Sequence, residues 1–377
     1  MKYPRPSFME PGFPVFSMNS SFGNIPLTVP KFDTPITPRE NFLRAAKREN
    51  PMWVPNHIMD FQEFEHNELG IHKPGKFQGG PDFRAAWQES KAFLDPYGNS
   101  WTWVVSAQGA MLTPGTKILS DVTKWEKELK WPVFDEWTYK EVAEDFMANR
   151  YDPAKALRIN IFQGCTEMLV AFLGGYGEGM LAMAEEPEAV SDLFAFFADR
   201  MIAFYDLMKT LYPIDIATYH DDWGTQRETF FSPKMMEELV YEPTKKIVDH
   251  IRADGVVFHF HTCGNVERFM PYMCDLGMDF IQVQRTAMDA PKLKELYGDR
   301  IGFNMPIEDH IPGLSFTDEQ LIEMVHKCVD LYAKGGGYFP WIFEAEARSL
   351  WTICSELYCY SREYYDKEPS LCPTVIP

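Results

Sequence analysis

The chain has 377 residues, 45% of them hydrophobic, which is enough apolar material for one large domain, and α/β barrels commonly run well past 200 residues. Its 36 Lys and Arg stand against 55 Asp and Glu, a formal charge of −19, so the surface repels nucleic acid and anionic membranes. No apolar run reaches the roughly 18 residues that a membrane span needs, and Pro4, Pro6, Pro11 and Pro14 break any leader-like stretch, so a cytoplasmic protein is expected.

Residues 1–35 are rich in proline and lack a period, which predicts an extended arm. Thr37 then stands as N-cap before a helix that opens at Pro38 and runs through Ala46. Trp53-Val54-Pro55 reads as a short strand. Residues 60–140 hold Trp87, Trp101, Trp103, Trp125, Trp131 and Trp137 among Gly and Pro turns. We expect an irregular insert there that covers a barrel mouth, with Gly98 to Val105 as one arm of a hairpin.

After residue 155 the pattern alternates between strand and helix. Strands are expected at Leu157–Phe162, Ile214–Tyr219, Gly255–His261, Phe280–Gln284, Ile301–Met305 and Tyr338–Phe343. Helices are expected from Glu188 to Leu211, from Ser232-Pro233 to Ala253, and from a Thr317/Gln320 capping box to the Gly335–Gly337 turn. This alternation predicts an α/β fold, a TIM-type (β/α)8 barrel, as a single domain over residues 1–377. An open doubly wound sheet is the alternative, but no GxGxxG or GxxxxGK[ST] motif follows a strand. The seven cysteines (165, 263, 274, 328, 354, 359 and 372) are irregularly spaced without a CxxC pair, which argues against a disulfide framework.

Side chains alternate along a strand, so His259, His261 and Cys263 share a face, and Gly264-Asn265 marks the strand's C-terminal end. That end is the active-site rim of an α/β barrel. An imidazole and a thiolate two residues apart can reach one ion, and the N/S pair suits zinc. On spacing alone the same residues also fit a hydrogen-bonded buried His and an inert Cys. Tyr219, His220, Asp221, Asp222, Trp223 and Gln226 follow another strand, where two adjacent carboxylates can serve as base, metal ligand, orienter or helix cap. Gln282, Gln284 and Arg285 form a third rim segment, and Asn304-Met305-Pro306 a fourth.

His220 through Gln226 with Phe231-Ser232-Pro233, then His261 through Asn265, then Gln282–Gln284, resemble the uroporphyrinogen decarboxylase superfamily, and within it the cobalamin-dependent methyltransferase branch. Pro38–Leu43, Leu119–Val122, Trp125-Glu126 and Trp131-Pro132 extend the resemblance. The resemblance implies a zinc held by His261, Cys263 and a later Cys. No Cys stands at that later position, where Glu344 is the nearest donor, with Glu346 and then Cys354 beyond. A carboxylate there makes a harder site, suited to polarising a substrate oxygen.

The reading that follows is a methyltransferase that moves a methyl group from a methoxylated compound, above all an aryl methyl ether, to the Co(I) corrinoid of a partner protein. Asp222, His220, Tyr219 and Gln226 are its expected catalytic residues, and Trp223, Gln284, Asn304 and His259 its substrate contacts. The chain shows no Asp-x-His-x-x-Gly pattern, so the corrinoid is assigned to the partner. A homodimer is compatible with this reading. The alternatives are methyl transfer to a thiol or folate acceptor, a metal-free decarboxylase-like lyase, and a non-catalytic binding protein. The scattered Arg39, Arg44 and Arg48 and the acidic surface disfavour a lyase for polyanionic tetrapyrroles.

Overall fold

The computed structural model describes residues 2–19, 26–63, 92–95, 97–104, 109–132, 136–161, 164–282, 284–311, 314–344 and 346–367. In chain order its strands are β1 Val15–Asn19, β2 Pro26–Pro30, β3 Phe61–Glu63, β4 Ala92–Leu94, β5 Ser100–Val104, β6 Gly109–Leu112, β7 Ala156–Ile161, β8 Ile216–His220, β9 Val257–His261, β10 Phe280–Gln282, β11 Gly302–Pro306 and β12 Tyr338–Trp341. The main helices are α1 Pro38–Lys47, α2 Glu136–Asn149, α3 Cys165–Leu173, α4 Tyr176–Glu185, α5 Pro187–Leu211, α6 Tyr241–Ala253, α7 Met270–Leu276, α8 Ala290–Tyr297, α9 Asp318–Tyr332 and α10 Ala347–Lys367. The fold is α/β of the TIM-barrel type. Among the described residues seven strands, β3 and β7 to β12, make up the barrel-type sheet. Two compact units divide the chain, one of residues 1–62, 152–157 and 279–377, the other of residues 63–151 and 158–278.

In the first unit β10, β11 and β12 pair in parallel, with Gln282 opposite Asn304 and Asn304 opposite Phe339. Thr37 caps α1 by accepting the Glu40 N–H, and the Thr317/Gln320 capping box opens α9, both as read from the sequence. The Pro-rich arm is more ordered than an extended strap, because β1 and β2 form an antiparallel ladder. The arm is bound to α10, where Arg5 meets Glu356 and Glu363 and the Trp351 indole donates to the Pro6 carbonyl. The strand expected at Trp53-Val54-Pro55 does not form. Pro51 and Pro55 have no N–H to give, and side chains take the donors between them: Asn41 Oδ1 accepts from Met52 and Trp53, and Ser361 Oγ accepts from Val54.

In the second unit β7, β8 and β9 pair in parallel, with Asn160, Thr218 and His259 in one row and His220 opposite His261. Their residues are nearly all buried, as parallel strands covered on both faces require. Part of the region read as an irregular insert is a regular antiparallel sheet, β4-β5-β6, which bears out the hairpin arm. The Trp101 indole donates to buried Asp95 and is core, while Trp131, against Phe172 and Phe196, and Trp125, against Phe196, are half-buried. Trp87 lies outside the described residues, as does Phe162. Among the described residues no helix is long and apolar enough to cross a membrane.

Candidate metal centre

The centre is built in the second unit from the segments that follow β8 and β9. Two glycines make the segments meet. Gly264 has φ +81°, and a Cβ placed there would lie 2.2 Å from the Gly224 carbonyl oxygen. A Cβ on Gly224 would lie 2.6 Å from the Asn265 oxygen. The loops therefore touch backbone to backbone, and the Asn265 N–H donates to the Thr225 carbonyl at 2.6 Å. Trp223 N–H donates to Thr262 Oγ1, and Asp221 N–H to the His261 carbonyl.

Three donors converge above this contact. Cys263 Sγ lies 3.7 Å from His261 Nε2, and Asp222 Oδ1 lies 4.0 Å from the same nitrogen. Among the described residues Asp222, His261 and Cys263 form the only cluster able to hold a metal, with all three donor atoms within 4.8 Å of one another. A tetrahedral zinc with Zn–N of about 2.0 Å and Zn–S of about 2.3 Å spaces its donors by roughly 3.4–3.6 Å, so small side-chain rotations would close the site. Asp222 Oδ1 also accepts the Cys263 N–H at 2.8 Å, which ties the carboxylate to the loop that carries the thiol.

The neighbouring residues have distinct duties. Asp221 is fully buried, and its carboxylate gathers Thr166 Oγ1 and the N–H groups of Thr166, Glu167 and the Trp223 indole. It is the cap of α3, reached from another strand. Burial pushes its pKa up to about 6 although these donors pull it down. The His220 ring lies 4.6 Å from that of His261, tilted by 38°, with Nε2 3.4 Å from Asn160 Oδ1. Burial, then the charges of His261 and Arg158, hold its pKa well below the ordinary value, so it is a neutral ring. His259 is fully buried, with Nδ1 2.9 Å from Thr218 Oγ1. Tyr219 points to the opposite face, where its hydroxyl accepts the Cys165 N–H and lies 3.7 Å from that residue's sulfur. Trp223 is fully buried among Phe231, Phe260 and Phe269, and Gln226 sits in an exposed turn.

The other predicted residues belong to the first unit. Asn304 is fully buried and donates to the Phe339 carbonyl across β11 and β12. Gln284 is half-buried just past β10. Glu344 is buried and meets His310 Nε2 at 2.9 Å, while Glu346 accepts from the Arg348 and Ser349 N–H groups at the start of α10, which also holds buried Cys354. His310 was not singled out in the sequence; only the fold pairs it with a residue 34 positions on. Glu167 and Tyr176 were also missed. Burial, and next the charge of Asp222, raise both their pKa values. Tyr176 stacks on Phe230 at 4.3 Å. The Cys263 thiol is likewise pushed up, first by desolvation and then by Asp222, a balance that a bound cation would invert.

Residues 161–338, which begin at the end of β7 and run to the start of β12, match the family model for uroporphyrinogen decarboxylase (URO-D). The matched span, a little under half of the chain, contains Asp222, His261 and Cys263, and it bears out the superfamily resemblance read from the residues. Among solved structures the chain is similar to a methyltransferase from Methanosarcina mazei, at 14% identity and a TM-score of 0.55, over 88% of this chain and 99% of that one. This likeness shows a common fold. A B12-independent methionine synthase from Shewanella sp. W3-18-1 aligns at 11% identity and a TM-score of 0.41, over 67% of this chain and 75% of that one. No curated protein matches the sequence.

Proposed function

We propose that the chain is a zinc-dependent methyltransferase that takes a methyl group from a methoxylated substrate, an aryl methyl ether, and delivers it to the Co(I) corrinoid of a partner protein. The observation that carries this reading is the convergence of His261 Nε2, Cys263 Sγ and Asp222 Oδ1 where the parallel strands end. The Methanosarcina mazei methyltransferase with this fold supports methyl transfer over the other chemistries of the superfamily.

His261, Cys263 and Asp222 would hold the ion, and Asp222 fills the third place for which Glu344 was considered. Zinc bound there supplies a Lewis acid toward the departing oxygen. One thiolate with an imidazole and a carboxylate is a harder set than two thiolates, and this favours an oxygen leaving group over activation of a thiol acceptor. The partner's corrinoid would supply the nucleophile that accepts the methyl group, and the aryl oxide would leave with the electrons of the broken methyl C–O bond and need a proton. We assign Glu167 to return a proton to that oxide: it stands in the first turn of α3, its N–H donates to Asp221, and burial and the charge of Asp222 raise its pKa, which favours the protonated acid. Neutral His220 packs against His261 with its ring tilted and supports the ligand ring. Tyr219 and His259 act as supports, through Cys165 and Thr218.

The test is a screen of methoxybenzenes, methanol and methylamines against purified chain, zinc and free Co(I) cobalamin, watching for the methyl–Co(III) spectrum. A signal with methoxybenzenes that disappears in Cys263→Ala is the expected result. Purified chain that takes up no zinc, or demethylation that survives Cys263→Ala, would overturn the reading.

A further inference from the structure

The first unit contains a pocket that the proposed chemistry does not use. It lies between the N-terminal arm, the stretch after β2 and the helix α10, with a cavity of about 430 Å3. Its walls are aromatic: Phe32 stacks on Tyr358 at 4.2 Å, and Phe13 meets Phe32 edge-on at 5.5 Å. Arg362 lines the same pocket and is only 8% exposed. Its guanidinium lies 4.7 Å from the Tyr3 ring centre and 6.0 Å from that of Tyr358, and Nη2 donates to the Tyr3 hydroxyl at 2.9 Å.

Rings stacked on a guanidinium satisfy its faces but none of its in-plane N–H groups. Nε and Nη1 of Arg362 are buried, and among the described residues they have no hydrogen-bond partner. The carboxylates nearby on α10 are engaged: Glu363 accepts from Arg5 and the Lys2 N–H, and Asp366 from Lys2 Nζ and the Tyr3 hydroxyl. A buried cation with two unmet donors is costly, and an anionic acceptor would relieve it. Lys31 adds a second cation to the lining, against the single carboxylate of Asp33. In a chain of net charge −19 this lining carries two cations to one carboxylate.

We propose that this pocket binds a small aromatic carboxylate, its carboxylate on Arg362 and Lys31 and its ring against Phe13, Phe32 and Tyr358. The volume, near the lower end for ligand pockets, suits a single ring, and the apolar walls favour an organic anion over inorganic phosphate. The proposal is independent of the chemistry assigned to the metal centre.

Calorimetry on the full chain, with benzoate as probe and with benzyl alcohol and inorganic phosphate as comparators, tests it. Because a carboxylate can also bind zinc, the titrations are repeated on His261→Ala. One benzoate per chain is expected in both wild type and His261→Ala, with benzyl alcohol at least 10-fold weaker. Arg362→Gln should weaken benzoate at least 10-fold, with circular dichroism confirming that it folds. Lys31→Gln, at an exposed position that does not endanger folding, should weaken it about 3-fold. The proposal fails if wild type shows no saturable benzoate binding, if benzoate binding is lost in His261→Ala, if folded Arg362→Gln or Lys31→Gln binds benzoate as tightly as wild type, or if phosphate competes equally well.

Discussion

Asp222→Ala is the substitution that tests the metal centre most directly. A four-ligand structural zinc site is worth roughly 10–16 kcal/mol at neutral pH, so one ligand accounts for about 3–4 kcal/mol, a factor of about 10²–10³ in affinity. Asp222 has a second duty here, because the oxygen 4.0 Å from His261 Nε2 also accepts the Cys263 N–H. Its removal takes away a donor and loosens the loop that presents the thiol. The zinc Kd of Asp222→Ala should therefore rise by about 10²–10³-fold, alongside His261→Ala and Cys263→Ser. Asp222→Asn keeps an oxygen for the Cys263 N–H and should lose less. Glu344→Ala should leave zinc binding unchanged, since Glu344 is engaged by His310 in the first unit. Competition against a chromophoric chelator measures all five variants. Wild-type zinc affinity in Asp222→Ala, together with a loss in Glu344→Ala, would refute the assignment.

Gly264→Ala should destabilise by at least 2 kcal/mol, from the left-handed backbone and the contact with the Gly224 oxygen, and should lower zinc occupancy; urea unfolding with metal analysis checks both. Asp221→Asn should cost about 2–4 kcal/mol of stability, because an amide cannot accept from the donors that converge on both carboxylate oxygens; equal urea midpoints would show that this cap contributes little. Burial raises the Asp60 pKa to about 7, although the Asn56 N–H and the Trp53 indole pull it down. The unfolded state gives up that proton near pH 4, so between about pH 4 and pH 7 it binds fewer protons than the folded state, and this group's contribution falls by a few kcal/mol as pH rises. Asp60→Asn should flatten that part of the stability profile, and a slope identical to wild type would contradict the reasoning. Glu167→Gln should slow demethylation of an aryl methyl ether by about 10²–10⁴-fold with zinc content unchanged, read by the methyl–Co(III) absorbance.

Much of the fold was legible because local signals and tertiary structure agree. The Thr37 and Thr317 caps act within a few residues, and the buried parallel strands read as short apolar runs between turns. The failures come from partners distant in sequence. Nothing near Trp53 announces that Asn41 and Ser361 will take the donors of that stretch. Asp221 and Asp222 are adjacent and chemically alike, yet one caps a helix that begins 56 residues earlier and the other faces a histidine on the next strand. Their alternation decides the roles, since the inner side of the turn meets α3 and the outer side meets the loop of Cys263. Trp223 shows the limit of reading a rim residue as a substrate contact: its indole is consumed by Asp221 and its ring by Phe260.

The glycines explain why the two motifs work as a pair. With side chains at positions 224 and 264, the loops after β8 and β9 could not touch, and Asp222 would be held away from His261 and Cys263. The register of the two strands puts His220 opposite His261, so the loops leave the sheet at the same level. The Gly224–Gly264 contact then sets their spacing, and the Asp222 to Cys263 N–H bond sets the direction of the carboxylate. A donor set assembled by backbone contact is held at short range before any ion arrives, so binding spends little on ordering the chain. Each rim motif brings an incomplete set, and the pair brings three candidate donors; a tetrahedral ion held by them would keep a fourth position for substrate, as catalytic zinc sites do.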